Sequence, residues 1–252
     1  MEIENYFTNS IIEKLVFCLR EHEETSKEDI IACLCLYLRA LTINENPQTQ
    51  LADSAKEFGL VRQKSIAMSI IPIIFNPLLE NIKKILASTN NNLLTGGLNL
   101  LSALSLPAAK ELLLSLDSLK ANINEILKKN SSNFNLILFA FFNKLLKSVQ
   151  NDESIILHLD TYIAWMVLGI KNDFYKVNIE SAQIASQLVR ILKESLSDEE
   201  IIPKLKVINS EILPKFISND LDQELKTSLI TTVGNIILYT VNLRHSNTIN
   251  PD

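Results

Sequence analysis

Apolar residues recur at helical spacing along almost the whole chain. Ile12, Leu15, Val16 and Leu19 fall at i, i+3, i+4 and i+7 and predict a helix over 9–21. A second is predicted from just after Ser26, with Asp29 in a near capping box, to about Leu41. Residues 42–64, with Asn44-Glu-Asn-Pro47, break the pattern and read as an inserted loop with one turn of helix near 52–58. Helices follow over 65–88, kinked or delayed by Pro72 and Pro77, and over 92–106. The stripe Leu112, Leu116, Leu119, Ile123 and Ile126 predicts a helix over 108–129 with a break in its middle. Residues 134–149 are apolar nearly all round, with Leu138, Phe141, Phe142, Leu145 and Val149 inward, so neighbours must cover them on more than one side. The last four predicted helices cover 153–171, 175–194, 198–217 and 221–241. Ala185, Leu188, Val189 and Leu192 face inward in one, and Ile230, Val233, Ile237 and Val241 in the last. Ser197 and Glu200 form a capping box at 198, and 243–252 read as a frayed tail. No stretch alternates strictly between turn signals, so no sheet is predicted.

These helices come in pairs. The second members start near 134, 175 and 221, a period in or near the 40–47 residues of HEAT and armadillo repeats. The last pair carries the HEAT order: Ile212-Leu213-Pro214, then Asp220, then Leu225, Lys226 and Gly234. Pro214 removes an N–H and bends the first helix, Asp220 is placed to cap the second, and Lys226 to reach an acidic turn in the adjacent repeat. Ile70-Ile71-Pro72 resembles the same kinked first helix. The expectation is an all-α, right-handed α-solenoid of about five HEAT-like helical hairpins, one segment over 1–252.

Composition narrows the function. Hydrophobic residues make up 47% of 252, ample for a continuous core, while five Gly are few for an all-β or nucleotide-binding α/β fold. A net charge of −5 without a long basic run argues against nucleic acid. The acidic stretches 21–29 and 194–200 read as solvated helix ends. The opening Met1-Glu-Ile-Glu-Asn5 is acidic where a secretory leader is basic. The apolar stretches 66–79 and 155–170 carry two prolines, or His158 and Asp160, and read as buried helices rather than membrane spans. The many asparagines are given no chemistry. The expected compartment is cytoplasmic and/or nuclear, with reduced thiols.

Candidate chemistry is sparse. Cys18, His22, Cys33 and Cys35 lack the C-x2-C spacing, and Cys33 and Cys35 point apart on one helix, so they read as core cysteines rather than a metal site. His22, His158 and His245 are scattered across three repeats, so no Ser-His-Asp or Cys-His constellation is argued from them. Gly96-Gly97 reads as a packing or cap feature. No cofactor, metal, catalytic residue or small-molecule substrate is expected. Phe174 and Tyr175, at a turn between helices, read either as exposed anchors for a protein partner or as a staple of that turn.

The segment Asn172-Asp-Phe-Tyr-Lys-Val177, continuing through Glu180-Ser-Ala182 and Gln187-Leu-Val-Arg-Ile191, resembles the central repeats of the cullin-associated and neddylation-dissociated proteins. So does Asn219-Asp-Leu-Asp-Gln-Glu-Leu-Lys226, and, more loosely, Leu19 to Asp29. The family carries G-D-P-F-Y-K-I at the first place and D-I-D-Q-E-V-K at the second; here Asp173 stands where it has proline. The resemblance implies a non-enzymatic scaffold that wraps the core of cullin–RING ubiquitin ligases. Such a scaffold blocks neddylation and promotes exchange of substrate receptors. It singles out Phe174, Tyr175, Lys176, Asp220, Asp222, Glu224 and Lys226 as partner-binding or inter-repeat turn residues. Members are several times longer, which implies a central fragment, a split gene product or a reduced relative. The same pattern also suits another HEAT or armadillo adaptor, such as a nuclear-transport receptor or phosphatase scaffold segment.

Overall fold

The computed structural model describes residues 2–21, 24–40, 53–218 and 221–248, and among them it is all-α: eleven α-helices, one 3-10 turn and no strand. The chain divides into two compact units, Met1–Lys129 and Asn130–Asp252.

The first unit holds α1 (Glu2–Glu21), α2 (Glu24–Ala40), α3 (Asp53–Leu86), α4 (Asn91–Leu104), α5 (Ala109–Leu114) and α6 (Leu116–Lys128). First helices stack on first helices and second on second: α1 lies on α3 and α2 on α4, while α1 pairs with α2 and α3 with α4. The core is aliphatic, built on Ile12, Val16, Leu19, Leu34, Leu38, Ile70, Ile74, Leu78, Ile82, Leu94 and Leu98. Asn90 caps α4, its Oδ1 accepting from the N–H of Asn92 at 2.9 Å. Gly97 lets α4 close on α3, because a Cβ there would stand 2.7 Å from Ile85 Cγ2. The predicted break falls at Ser115, whose N–H turns back to the carbonyls of Glu111 and Leu112 and separates α5 from α6. The stripe Leu112, Leu116, Leu119, Ile123 and Ile126 is buried as expected.

Three sequence expectations in this unit are corrected. Residues 53–64 are not loop but the start of α3, and the rest of the predicted loop to 52 lies outside the described residues. A helix costs more to restart than to extend, and no breaker stronger than Gly59 stands between Asp53 and Pro72. The helix also continues through Pro72 and Pro77, both on its exposed side, where Ile70, Ile71, Ile74, Phe75, Leu78 and Leu79 bury the opposite face. Likewise α2 begins at Glu24, so Ser26 is inside it rather than at its cap.

The second unit holds α7 (Ser132–Val149), a 3-10 turn (Glu153–His158), α8 (Leu159–Ile170), α9 (Tyr175–Ser195), α10 (Asp198–Ile217) and α11 (Gln223–Thr248). Helix α9 is central, packed on α7, α8, α10 and α11. Here the core is aromatic. Phe142 of α7 stacks on Trp165 of α8 with ring centres 4.4 Å apart, and Tyr162 meets both rings edge-on at 6.0 and 5.8 Å. Gly169 is where α8 and α9 come closest: a Cβ on it would overlap Ser181 Oγ and the Phe139 ring. The capping box of α10 is formed, Ser197 N–H and Oγ donating to Glu200 Oε2 at 3.2 and 2.8 Å. Those hydrogen bonds hold the Glu200 carboxyl below its ordinary range, and Lys204 adds to the effect.

Helix α11 corrects two further expectations. It runs to Thr248, so only 249–252 of the predicted frayed tail lie outside the described residues. Its buried face is Leu225, Leu229, Thr232 and Ile236, whereas Ile230 and Ile237, predicted inward, are each 54% exposed, and Val233 is intermediate. The side chain of Val241 lies outside the described ones. Both faces of α11 are apolar, and the buried one hides a hydroxyl whose partner, the Ala182 carbonyl at 2.7 Å, belongs to another helix.

Candidate protein-interaction surfaces

The turn between α8 and α9 is built by amides. Asn178, buried in the first turn of α9, donates from Nδ2 to the carbonyls of Gly169 (2.8 Å), Ile170 (3.1 Å) and Asn172 (2.8 Å). It thereby satisfies carbonyls that the end of α8 leaves without helical partners. Asn172 Oδ1 accepts from Phe174 N–H at 2.9 Å, and its Nδ2 reaches Asn130 Oδ1 at 3.1 Å. Asn130 has φ 47°, a left-handed conformation that asparagine tolerates better than most residues. On this frame Phe174 is half-buried and Tyr175 is 38% exposed, their rings edge to face at 5.7 Å, with Lys176 exposed beside them. The turn thus carries the pair at its surface, one ring half-buried and the other exposed.

At the start of α11, Asp222 is the cap: its Oδ1 accepts from Glu224 N–H at 2.9 Å and Leu225 N–H at 3.4 Å. The carboxylate sits against the positive end of the helix, where both the hydrogen bonds and the dipole favour it. Asp220, expected to cap this helix, lies outside the described residues. Glu224 and Lys226 are exposed, and among the described residues Lys226 makes no ion pair.

Residue pairs climb together along neighbouring second helices. Asn143 Oδ1 accepts from Gln187 Nε2, and Asn143 Nδ2 donates to Glu180 Oε2 at 2.7 Å and Gln183 Oε1 at 2.6 Å. One helix further on, Thr232 bonds the Ala182 carbonyl at 2.7 Å, and Asn235 Nδ2 donates to Ser186 Oγ at 2.6 Å. So α7, α9 and α11 run parallel, and Phe174, Tyr175, Lys176, Asp222, Glu224 and Lys226 all sit at the N-terminal edge of this layer. Sequence reasoning missed the asparagines behind that edge. Their signal was present as Asn143, Asn178 and Asn235, polar residues standing in otherwise apolar stripes.

Each unit also has a concave surface. A cleft of about 220 Å³ between α9 and α11 is lined by Ser186, Gln187, Arg190, Lys193, Asn235 and Leu238. In the first unit, a groove of about 590 Å³ between α1 and α3 exposes Phe17 and Ile73 beside Pro77. No three His, Cys, Asp or Glu side chains converge on a metal position among the described residues. Cys35 is buried, which pushes its thiol up to about 11, and Cys18 is half-buried. Cys33 is exposed, contrary to its expected place in the core, and His22 lies outside the described residues. The stretch Glu153–Ile170 is long and apolar enough to span a membrane by length and composition alone, but half of it is buried in the protein and its first third is a 3-10 turn.

A family model described as CAND1-like, TPR repeats, matches residues 69–233. The curated relatives include cullin-associated NEDD8-dissociated protein 2 of Rattus norvegicus, 25% identical over 88% of this chain and 17% of its own. They also include cullin-associated NEDD8-dissociated protein 1 of Dictyostelium discoideum, 23% identical over 86% of this chain and 16% of its own. The chain thus spans about a sixth of the length of these relatives. Among solved structures, an engineered protein from the Northeast Structural Genomics Consortium is similar in fold, with a TM-score of 0.53 at 13% identity, covering 90% of this chain and 97% of its own. The second helices α4, α7, α9 and α11 start 41, 43 and 48 residues apart. That period is longer than the 34 residues of a TPR and lies in or near the HEAT range.

Proposed function

The chain belongs to the CAND1-like repeat family, a family of helical-repeat scaffolds rather than enzymes, and from that membership we propose that it binds the core of cullin–RING ubiquitin ligases. In this reading it regulates their assembly and neddylation sterically, by lying along the partner and competing with other factors, and it favours exchange of substrate receptors. Its compartment would be the cytoplasm, the nucleus or both.

The observation that supports the reading is that both curated relatives are named for cullin association and align with more than four-fifths of this chain. The geometry is suited to it. The N-terminal edge of α7, α9 and α11 offers a rigid aromatic pair, Phe174 and Tyr175, flanked by Lys176 on one helix and by Asp222 and Glu224 on the next. Interfaces of this kind draw most of their affinity from a few aromatic or charged anchors within a larger, weaker area.

The test is retention of purified partners by the immobilised full chain. An un-neddylated cullin with its RING subunit is expected to be held, and the neddylated form released. Tyr175→Ala should weaken retention by roughly tenfold if the pair is an anchor. Retention of an import cargo or a phosphatase subunit in place of the cullin would assign the chain to a different adaptor class, and retention of none would leave it a spacer.

A further inference from the structure

Helices α9 and α11 touch through Ser186 and Asn235, and these two residues also line the cleft of about 220 Å³ between the helices. Val189, which is buried, and Leu238, which is 65% exposed, give the cleft an apolar wall. Arg190 and Lys193, one turn apart on α9, are exposed and line it as well. Among the described residues neither cation makes an ion pair. None of the lining residues is acidic, and Glu194, next along α9, is not among them. A chain with a net charge of −5 thus sets two uncompensated cations beside an apolar patch.

The polar groups of the cleft have capacity to spare. Ser186 Oγ accepts from Asn235 Nδ2 at 2.6 Å. The Ser186 hydroxyl hydrogen and the Asn235 Oδ1 are taken up by no hydrogen bond among the described residues. Two cations and a hydroxyl donor match a carboxylate. An amide oxygen matches a backbone N–H, which a simple anion does not bring. Val189 and Leu238 match an aliphatic side chain. The volume is below the roughly 300–1,000 Å³ of pockets that enclose a small molecule, and suits one acidic and one apolar side chain instead. Two cations on a single helical turn neutralise one anionic group, not a run of phosphates.

We propose that the α9–α11 cleft docks an acidic segment of a protein partner, in which a carboxylate side chain stands beside an aliphatic one. Arg190 and Lys193 hold the carboxylate, with the Ser186 hydroxyl as a further donor. Val189 and Leu238 cover the aliphatic side chain, and Asn235 Oδ1 receives a backbone N–H. The net charge of the chain repels an acidic partner at long range, so recognition depends on these two cations at short range. Ser186 lies about three turns along α9 from Tyr175, so the cleft is separate from the aromatic pair at the N-terminal edge. The inference therefore stands whether or not the partner at that edge is a cullin.

The test passes a random library of amide-capped heptapeptides over the immobilised full chain. Peptides with Asp or Glu adjacent to Leu, Ile or Val are expected to be retained about tenfold above their share of the library. One such peptide should shift the amide resonances of 186–193 and 235–238 in the free chain. The double variant Arg190→Gln, Lys193→Gln should lose the preference for acidic peptides. Leu238→Ser should keep that preference but weaken retention by roughly threefold. All three side chains are exposed, so the melting midpoints of these variants should match the parent's. Retention of basic or uncharged peptides, retention that survives the double variant, or retention of none overturns the proposal. Inorganic phosphate that displaces the acidic peptide at equal concentration also overturns it, because the cleft would then read charge alone. Cullin binding is read on Tyr175→Ala, outside the cleft, so the two readings fail separately.

Discussion

The two units solve the same packing problem with different chemistry. In the first, helices meet through Leu and Ile, Gly97 sets one close approach, and among the described residues single amides reach carbonyls of neighbouring helices, as Asn81 to Val16 at 3.2 Å and Asn122 to Lys83 at 3.2 Å. In the second, a cluster of aromatic rings fills the core and amide links recur at every step from α7 to α11. Aliphatic packing tolerates small shifts of one helix along another. A buried amide does not, because sliding by one turn strands its donor and acceptor. The second unit therefore has the more sharply defined register, and the segments that carry the family resemblance, 172–191 and 219–226, fall within it.

The sharpest way to break this contrast is to remove an aromatic. Phe142→Ala is expected to cost about 3–5 kcal/mol, because the ring contacts Phe139, Phe141, Tyr162 and Trp165 together and the space it leaves cannot collapse. Urea denaturation followed by Trp165 fluorescence would read the loss in the second unit. Next come the glycines. Gly169→Ala should cost more than about 2 kcal/mol by thermal melting, since the new methyl meets a ring and a hydroxyl held by α9. Gly97→Ala should cost less, because its methyl would press on Ile85 Cγ2 at 2.7 Å and Leu86 Cδ2 at 3.2 Å, whereas at Gly169 it would overlap a hydroxyl and a ring more deeply. Equal losses at the two positions would contradict the greater rigidity ascribed to the second unit.

Smaller effects sharpen the comparison. Asn178→Ala leaves the carbonyls of Gly169, Ile170 and Asn172 without their donor and should cost about 1–3 kcal/mol, against roughly 1 kcal/mol for Asn81→Ala. Hydrogen exchange would show the loss concentrated in the α8–α9 turn. The least change is expected at Glu200. Its carboxyl titrates below the ordinary range in the folded chain, so its contribution is present above the unfolded carboxylate range and fades as pH falls through the folded one. A Glu200→Gln variant should differ from the parent in urea midpoint at pH 7 and converge with it in acid.

Much of this was legible in the sequence. The stripes of α6 and α7, a break within 108–129, the capping box at Ser197 and the helix pairs in the second half follow from local spacing, and they stand where expected. What was not legible depends on partners far along the chain. The face of α11 was misassigned because Thr232 looks solvent-facing until Ala182 offers its carbonyl. The asparagines looked like composition alone until Asn178 and Asn143 were seen to close turns and join helices. Phe174 and Tyr175 were placed correctly at a turn, but their mutual contact and the asparagine frame beneath them needed three dimensions.

The links in the second unit join residues only 37 to 50 positions apart. Closing such loops costs little chain entropy, and mean contact separation stays low however many pairs are stacked. As the polypeptide is synthesised, α9 can pair with α8 and find Asn143 on α7 already in place before α11 has been made. The growing end of the stack therefore always has a finished template behind it, and assembly follows the direction of translation.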